Sequence, residues 1–334
     1  MNTDLNPATS PPVRGLVFSL KLTAGAAILF WLYRSDYFDP AVVQRISPDF
    51  GSVGLLLAGS TLLASGALLI SIRLWLLLRL LGTDLAWRDT LRINLAAMCL
   101  GMMLPGLVGV DAIRLTGFCL IESRSRTTVF AAVVLDRVLG IFALLVLSTL
   151  GVSFALATGF DRIPAGLLEW LLPPLGGGVL LLLLFGSQSL KQWRLMLWLQ
   201  SRLPARVGRA MASLQSVAKS YRVLGGCLML SLISQMFTVL SFVFIGLVIQ
   251  DQLPILLHFI INPLALLLNG IPITPGGLGI TESAFAYLFQ LAGSENGAVI
   301  ALLGRLNQYL VYAIIGIPVL LTFKLKTLQT LRDR

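Results

Sequence analysis

The sequence predicts an all-α polytopic membrane protein with about six full spans plus two re-entrant broken-helix hairpins, arranged as an inverted repeat. Three observations lead there. Apolar residues make up 57% of the 334 and charged residues only 12%, with mean hydropathy +0.88. Runs of about 20 apolar residues recur, the length that crosses a hydrocarbon core. One motif then occurs twice, as Pro105-Gly106-Leu107-Val108-Gly109-Val110-Asp111 and Pro275-Gly276-Gly277-Leu278-Gly279-Ile280-Thr281. Each copy precedes an apolar run with an arginine at the matching point, Val133-Val134-Leu135-Asp136-Arg137-Val138 and Ala301-Leu302-Leu303-Gly304-Arg305-Leu306, and internal duplication is the simplest account. Finally, lysine and arginine gather in loops on one side, an orientation signal.

Residues 1–14 are polar and carry three prolines, which predicts a disordered tail rather than a signal peptide. The first span covers about 15–33, followed by a weakly acidic loop with Asp36, Asp39, Arg45 and Asp49. The second runs from about Gly51 to Ile72 and ends in Arg73, Trp75, Arg79, Trp87, Arg88 and Arg92, the composition of a cytoplasmic interface.

Residues 91–104 form an apolar arm of 14 residues that breaks at the first motif and resumes from Val110 to Ile121. Proline lacks a donor and glycine tolerates positive φ, so a helix arriving at Pro105 or Pro275 must stop and restart. In lipid such a break survives only where protein or a polar cavity satisfies the freed backbone. A broken span, a re-entrant hairpin and a plain surface loop all fit this pattern. Basic residues at both ends, Arg88 and Arg92 before and Arg124 and Arg126 after, favour the hairpin.

A span over 127–150 carries Asp136 and Arg137 about halfway along, and another over 167–185 is kinked at Pro173-Pro174 and Gly176-Gly177-Gly178. Residues 187–222 hold seven Lys and Arg and no acid, with apolar residues at helical spacing, which suits an amphipathic helix on an anionic cytoplasmic leaflet or a soluble connector. A span over 224–249 precedes the second hairpin, whose inbound arm ends at Leu268 and whose outbound arm runs through Glu282 to Leu291. The last span, about 297–323, leads to a basic cytoplasmic tail, 324–334. Repeat 1 is thus about 15–156 and repeat 2 about 167–323 of one transmembrane domain, 15–323. Three crossings per half is odd, so the second half enters the membrane upside down, as in many transporters. Both termini then lie in the cytoplasm. The opposite face holds only Arg34, Arg45 and Arg162 among mostly acidic residues.

Net charge is +10, yet no soluble basic patch suggests nucleic acid. Cys99, Cys119 and Cys227 lie in apolar stretches without metal or disulfide spacing and are expected to be small core residues. His258, the only histidine, is expected to be a hydrogen-bonded packing residue. A single histidine argues against a histidine-ligated metal and against Ser-His-Asp chemistry, and no cofactor is expected.

Six charges fall in or near the predicted membrane core: Asp111, Arg114, Asp136, Arg137, Glu282 and Arg305. A charge at the bilayer centre costs from ~3 to more than roughly 10 kcal/mol, so these side chains should face the interior, paired or wetted. They could line a path for a lipid headgroup, with Arg137 and Arg305 holding phosphate bidentately, or simply pair and join the halves. Asp111 and Glu282 also begin helical arms, where an acid complements the exposed N–H groups. Buried helix starts at the break residues Pro105, Gly106, Gly109, Pro275, Gly276, Gly277 and Gly279 could instead present N–H groups to a phosphate. Neither motif ends in the Gly-Lys-Ser/Thr of a nucleotide-binding loop.

At LPGLVGVDAIRL (104–115), VVLDRVLG (133–140), PGGLGITESAFAYLF (275–289) and Leu303-Gly304-Arg305-Leu306 the chain resembles the transmembrane, flippase-like region of lysylphosphatidylglycerol synthases and its stand-alone relatives. The family's first motif usually reads Gly-Gly-Val-Gly-Gly-Asp, and Leu107 and Val110 replace two of those glycines. The resemblance implies a bundle in the cytoplasmic (inner) membrane that moves or binds a phospholipid or lipid-linked headgroup. The soluble aminoacyl-transfer domain of the bifunctional relatives is not expected here, so the chain is expected not to be an enzyme. The alternative is an accessory partner of a lipid-modifying enzyme, one acting on glycosyl- or aminoacyl-lipids.

Overall fold

The computed structural model describes residues 49–101, 106–121, 126–159, 176, 221–268 and 279–332. The expected N-terminal tail, the first span, nearly all of the 167–185 span and of the basic 187–222 segment, and Pro105, Pro275, Gly276 and Gly277 lie outside these residues. Among the described residues the secondary structure is entirely helical. In chain order the helices are α1 (Phe50–Leu80), α2 (Trp87–Gly101), α3 (Gly106–Ile121), α4 (Arg126–Ala157), α5 (Tyr221–Val248), α6 (Ile255–Leu268), α7 (Ile280–Leu291) and α8 (Gly297–Arg332).

Four of them, α1, α4, α5 and α8, are long and apolar enough to cross a membrane. The other four have 15, 16, 14 and 12 residues, too short to cross singly at 1.5 Å per residue. Helix α1 begins where the Asp49 carboxylate accepts the Ser52 N–H at 3.3 Å. It ends at Gly82, whose φ of +89° lets the Thr83 N–H reach back to the Leu78 carbonyl at 3.1 Å.

Helix α1 therefore runs eight residues past the predicted end of the second span, and Arg73 is a buried mid-helix residue, not an interfacial one. Helix α8 likewise continues through most of the expected C-terminal tail, to Arg332. Of the three cysteines, Cys227 is buried and Cys99 and Cys119 are half-buried.

The short helices form two hairpins. Gly101 faces Val110 while Gly117 faces Ile93, so α2 and α3 lie side by side and antiparallel. Asp251 meets Ser294 at the open end of the second hairpin, and the His258 ring meets Phe289 further in, so α6 and α7 are antiparallel too. The helices of each pair pack on one another, which separates a hairpin from a single broken span.

At the centre, α1 and α5 cross antiparallel, with Gly59 against Ser241 and Gly66 against Ser234. Small residues bring the backbones close, and that closeness supplies the packing attraction that lipid does not. The inbound helix α2 packs on α8, where Gly316 faces Cys99 and the Leu95 carbonyl. The inbound helix α6 packs on α4, where Gly151 faces Ile260 and Ser148 donates to the Ile260 carbonyl at 2.9 Å. Pro263 cannot donate to the α6 ladder, and this tie from α4 sits one turn before it. One core cluster stacks Phe242, Phe285 and Phe289, with centroids 5.2 and 5.8 Å apart. Another gathers Leu74, Leu77, Ile93, Phe118, Val129 and Leu139.

Candidate functional site

An ion-pair group, buried in large part, lies beside each of the two hairpins. Beside the first, Asp111 on α3 accepts from Arg137 Nε on α4 at 2.6 Å. Asp111 also lies 3.4 Å from Arg114 Nη1, which is 3.3 Å from Asp136. Asp136 in turn accepts from Arg73 Nε on α1 at 2.7 Å. The result is a continuous alternating line: Arg137, Asp111, Arg114, Asp136, Arg73.

Polar neutral side chains extend it. Arg114 Nε donates to Asn94 on α2 at 2.7 Å, and Asn94 donates to Ser71 on α1 at 2.7 Å. Arg73 Nη1 donates to Ser231 on α5 at 2.6 Å. Five helices therefore contribute, and each buried carboxylate is shared by two guanidiniums. Such charge-assisted bonds offset the desolvation that an isolated buried charge would suffer.

Exposure along the line is uneven. Arg73, Arg114 and Asp136 side chains are 3–6% exposed, whereas Asp111 is 18% and Arg137 29% exposed. The line is thus sealed at one end and open at the Asp111–Arg137 pair.

Beside the second hairpin, Glu282 on α7 accepts from Arg305 Nε on α8 at 2.5 Å, and Arg305 Nη1 reaches Tyr309 Oη at 3.5 Å. The other oxygen of Glu282 accepts the Gly279 N–H at 2.7 Å, within the turn where Gly279 has φ +83°. In both groups an acid from the second helix of the hairpin meets an arginine on the next long helix.

All six sequence-predicted charges are paired, in two groups. The helix-start role expected of Asp111 is overturned: α3 begins at Gly106, so Asp111 stands in its second turn and binds arginines instead. The expectation for Glu282 holds, since it lies in the first turn and caps a backbone N–H. Gly109 is buried on α3, and Gly106 opens that helix.

Sequence reasoning missed Arg73, Asn94, Ser71 and Ser231. The available signal was the uninterrupted apolar run from Leu74 to Leu78 beyond Arg73, which continues the helix and draws the arginine inward. It also missed a polar group near the second hairpin. Asp251 Oδ1 accepts from Ser294 Oγ at 2.6 Å and from Asn296 Nδ2 at 2.8 Å, and His258 Nε2 lies 3.4 Å from Asp251 Oδ2. Burial pushes the Asp251 carboxyl up, but the nearby His258 ring and hydrogen bonds from Ser294 and Asn296 outweigh it and hold it below the usual carboxylate value. His258 does pack, edge-on to Phe289 at 5.2 Å and against Gly246, but its Nδ1 has no hydrogen-bond partner among the described residues.

Compared with known families, residues 15–316 match the model for the lysylphosphatidylglycerol synthase TM region. No curated protein matches the chain.

Proposed function

This chain belongs to the family of the lysylphosphatidylglycerol synthase TM region, multi-pass membrane proteins of lipid metabolism or transport, and from that membership we propose that it carries a phospholipid or lipid-linked headgroup across the cytoplasmic membrane. The single observation that supports this best is the line of buried charges that opens at Asp111 and Arg137. A phosphate arriving there can take Arg137 by its planar fork, and the released Asp111 keeps Arg114. Acyl chains would stay in lipid while the polar line substitutes for headgroup hydration.

An inverted repeat fits the helix neighbours. Exchanging α1–α4 for α5–α8 turns every principal contact into another: α2 on α8 becomes α6 on α4, and α3 on α4 becomes α7 on α8. The equivalent helices α1 and α5 run antiparallel, as a two-fold axis in the membrane plane requires. The acids Asp111, Asp136 and Glu282 each stand against an arginine, an arrangement suited to neutralising a headgroup rather than to general acid–base chemistry, so we read the chain as non-enzymatic.

The test is reconstitution of the purified chain into liposomes, following fluorescent lipids with anionic, zwitterionic and cationic headgroups by protection from an impermeant quencher. Movement should exceed that in protein-free liposomes. Arg137→Gln and Arg305→Gln should each slow it by about tenfold, the worth of ~1.4 kcal/mol of lost charge-assisted contact, and Arg→Lys should restore it in part. Rates equal to protein-free liposomes across the lipid panel would refute transport and favour an accessory role beside a lipid-modifying enzyme.

A further inference from the structure

The charged line beside the first hairpin does not cancel itself. Arg73, Arg114 and Arg137 stand in it against Asp111 and Asp136, and in the ordinary charge states of neutral pH three guanidiniums against two carboxylates leave one positive charge over. The helices that build the line offer little to offset it. Across α1 to α5 the carboxylates are Asp89, Asp111 and Asp136, and Asp89 stands in the first turn of α2 between Arg88 and Arg92.

The excess lies deep. Arg137 is 11 residues on from Arg126 at the start of α4, which at 1.5 Å per residue is about 16 Å, roughly half of a ~30 Å hydrocarbon core. Asp111, in the second turn of α3, puts the same pair near the tip of the hairpin. Charge at that depth is little screened by salt and is costly unless an opposite charge or water meets it. Arg73, Arg114 and Asp136 are sealed, so a balancing charge from outside the five helices meets the line at the more exposed pair, Asp111 and Arg137.

Among the described residues the second hairpin carries no such excess. There Glu282 faces Arg305, one acid to one base. With the motifs aligned, Ala284 stands where the first half has Arg114, and Gly304 where it has Asp136. A side chain at Gly304 would run into the ring of Phe242, which stacks on Phe285 at 5.2 Å. Aromatic packing thus fills in the second half the place that charge holds in the first.

We propose that the line selects lipids by headgroup charge, admitting a net-anionic phosphodiester at Asp111 and Arg137 in preference to zwitterionic or cationic headgroups. One phosphodiester charge leaves the line neutral. A cationic headgroup doubles the excess instead, and a zwitterion brings its ammonium group along with its phosphate. The planar guanidinium of Arg137 suits two phosphate oxygens, but the preference belongs to the whole line, because in a low dielectric Arg73 and Arg114 also act on the anion. This deepens the headgroup reading above and rests on it only for the arrival of a lipid headgroup at this pair.

Asn94 offers the test, because it touches the line without carrying charge. Its amide oxygen accepts from Arg114 Nε at 2.7 Å and its nitrogen donates to Ser71 at 2.7 Å. Asn94→Asp keeps the acceptor in place, lets the Ser71 hydroxyl turn to donate to it, and cancels the excess.

The full chain goes into phosphatidylcholine nanodiscs at ~1 M salt, where the Debye length is about 3 Å and attraction to exposed arginines is screened. Phosphatidylglycerol, phosphatidylcholine and a diacyl trimethylammonium lipid, each spin-labelled on an acyl chain, then report relative association. Phosphatidylglycerol should lead phosphatidylcholine by about tenfold, equal to ~1.4 kcal/mol, and the cationic lipid by more. In Asn94→Asp the lead should vanish; Arg73→Gln, which removes the excess from the sealed end, serves if that variant fails to fold. Equal association of the three lipids, or a lead retained in the neutralised variant, would overturn the selection. Displacement of the labelled lipid by water-soluble glycerophosphoglycerol would overturn it too, by assigning the pair to a soluble phosphodiester. Movement in liposomes keeps the two readings apart. Equal rates for all three lipids uphold transport and refute the selection, whereas selective association with no movement upholds the selection and refutes transport.

Discussion

Asp136→Asn removes the negative charge shared by two buried arginines. Arg73 then keeps only Ser231 among its described partners, while Arg114 keeps Asn94 and the longer 3.4 Å contact to Asp111. Breaking a buried pair by deleting one partner costs roughly 3–5 kcal/mol, because the remaining charge stays desolvated. With Arg73 at 3% exposure and unable to reach water without moving α1, about 3 kcal/mol is expected. At roughly 2 °C per kcal/mol for a chain of this size, Tm should fall by about 6 °C. The assay is thermal unfolding in detergent, followed by loss of the monodisperse peak. Arg79→Gln is the control, since Arg79 is exposed beside Trp75 and its loss should stay within about 0.5 kcal/mol. Arg73→Met with Asp136→Leu should regain much of the stability, as replacing both charges by packed apolar groups often does. An Asp136→Asn drop no larger than that of Arg79→Gln would refute the view that this carboxylate holds α1 to α3 and α4.

Three further outcomes are expected. In a background lacking Cys99, Cys119 and Cys227, a cysteine at exposed Asp84 should be shielded from impermeant thiol reagent added outside, while one at exposed Glu295 should react; the reverse pattern would overturn the orientation expected from the loop charges. Gly297→Ala should cost about 1–3 kcal/mol, because a Cβ would press on the Phe285 backbone, whereas Gly225→Ala, with open space around it, should gain up to ~1 kcal/mol from helix propensity; equal melting temperatures would contradict the α7–α8 packing. Asp251 is held below its ordinary value, so its contribution is full above that value and is lost as pH falls through the depressed one. The gap in Tm between the native chain and Asp251→Asn should therefore be widest near neutrality and close as pH drops below about 4, and a gap that is flat with pH would count against this carboxylate being stabilised in its ionised form.

The sequence by itself determined the helical membrane class, because hydropathy and helix length are local properties that need no partner. Two short helical arms at each motif were equally legible, since Pro-Gly runs stop helices wherever they stand. The six membrane charges could be named because charge in hydrocarbon is conspicuous whatever surrounds it. Their partners could not. Asp111 looked like a helix-start acid from its place after the glycines, yet α3 starts earlier and the carboxylate binds Arg114 one turn on in the same helix and Arg137 on α4. Arg73 looked interfacial from its tryptophan and arginine neighbours, and only the approach of α4 and α5 supplied the Asp136 and Ser231 that keep it inside. His258 looked like a packing residue, and it does pack. That its Nδ1 and the amide of Asn262 lack partners among the described residues depends on which faces of α4, α5 and α7 close around α6. Pairing and satisfaction are properties of several helices at once, and for that physical reason the tertiary structure alone decided them.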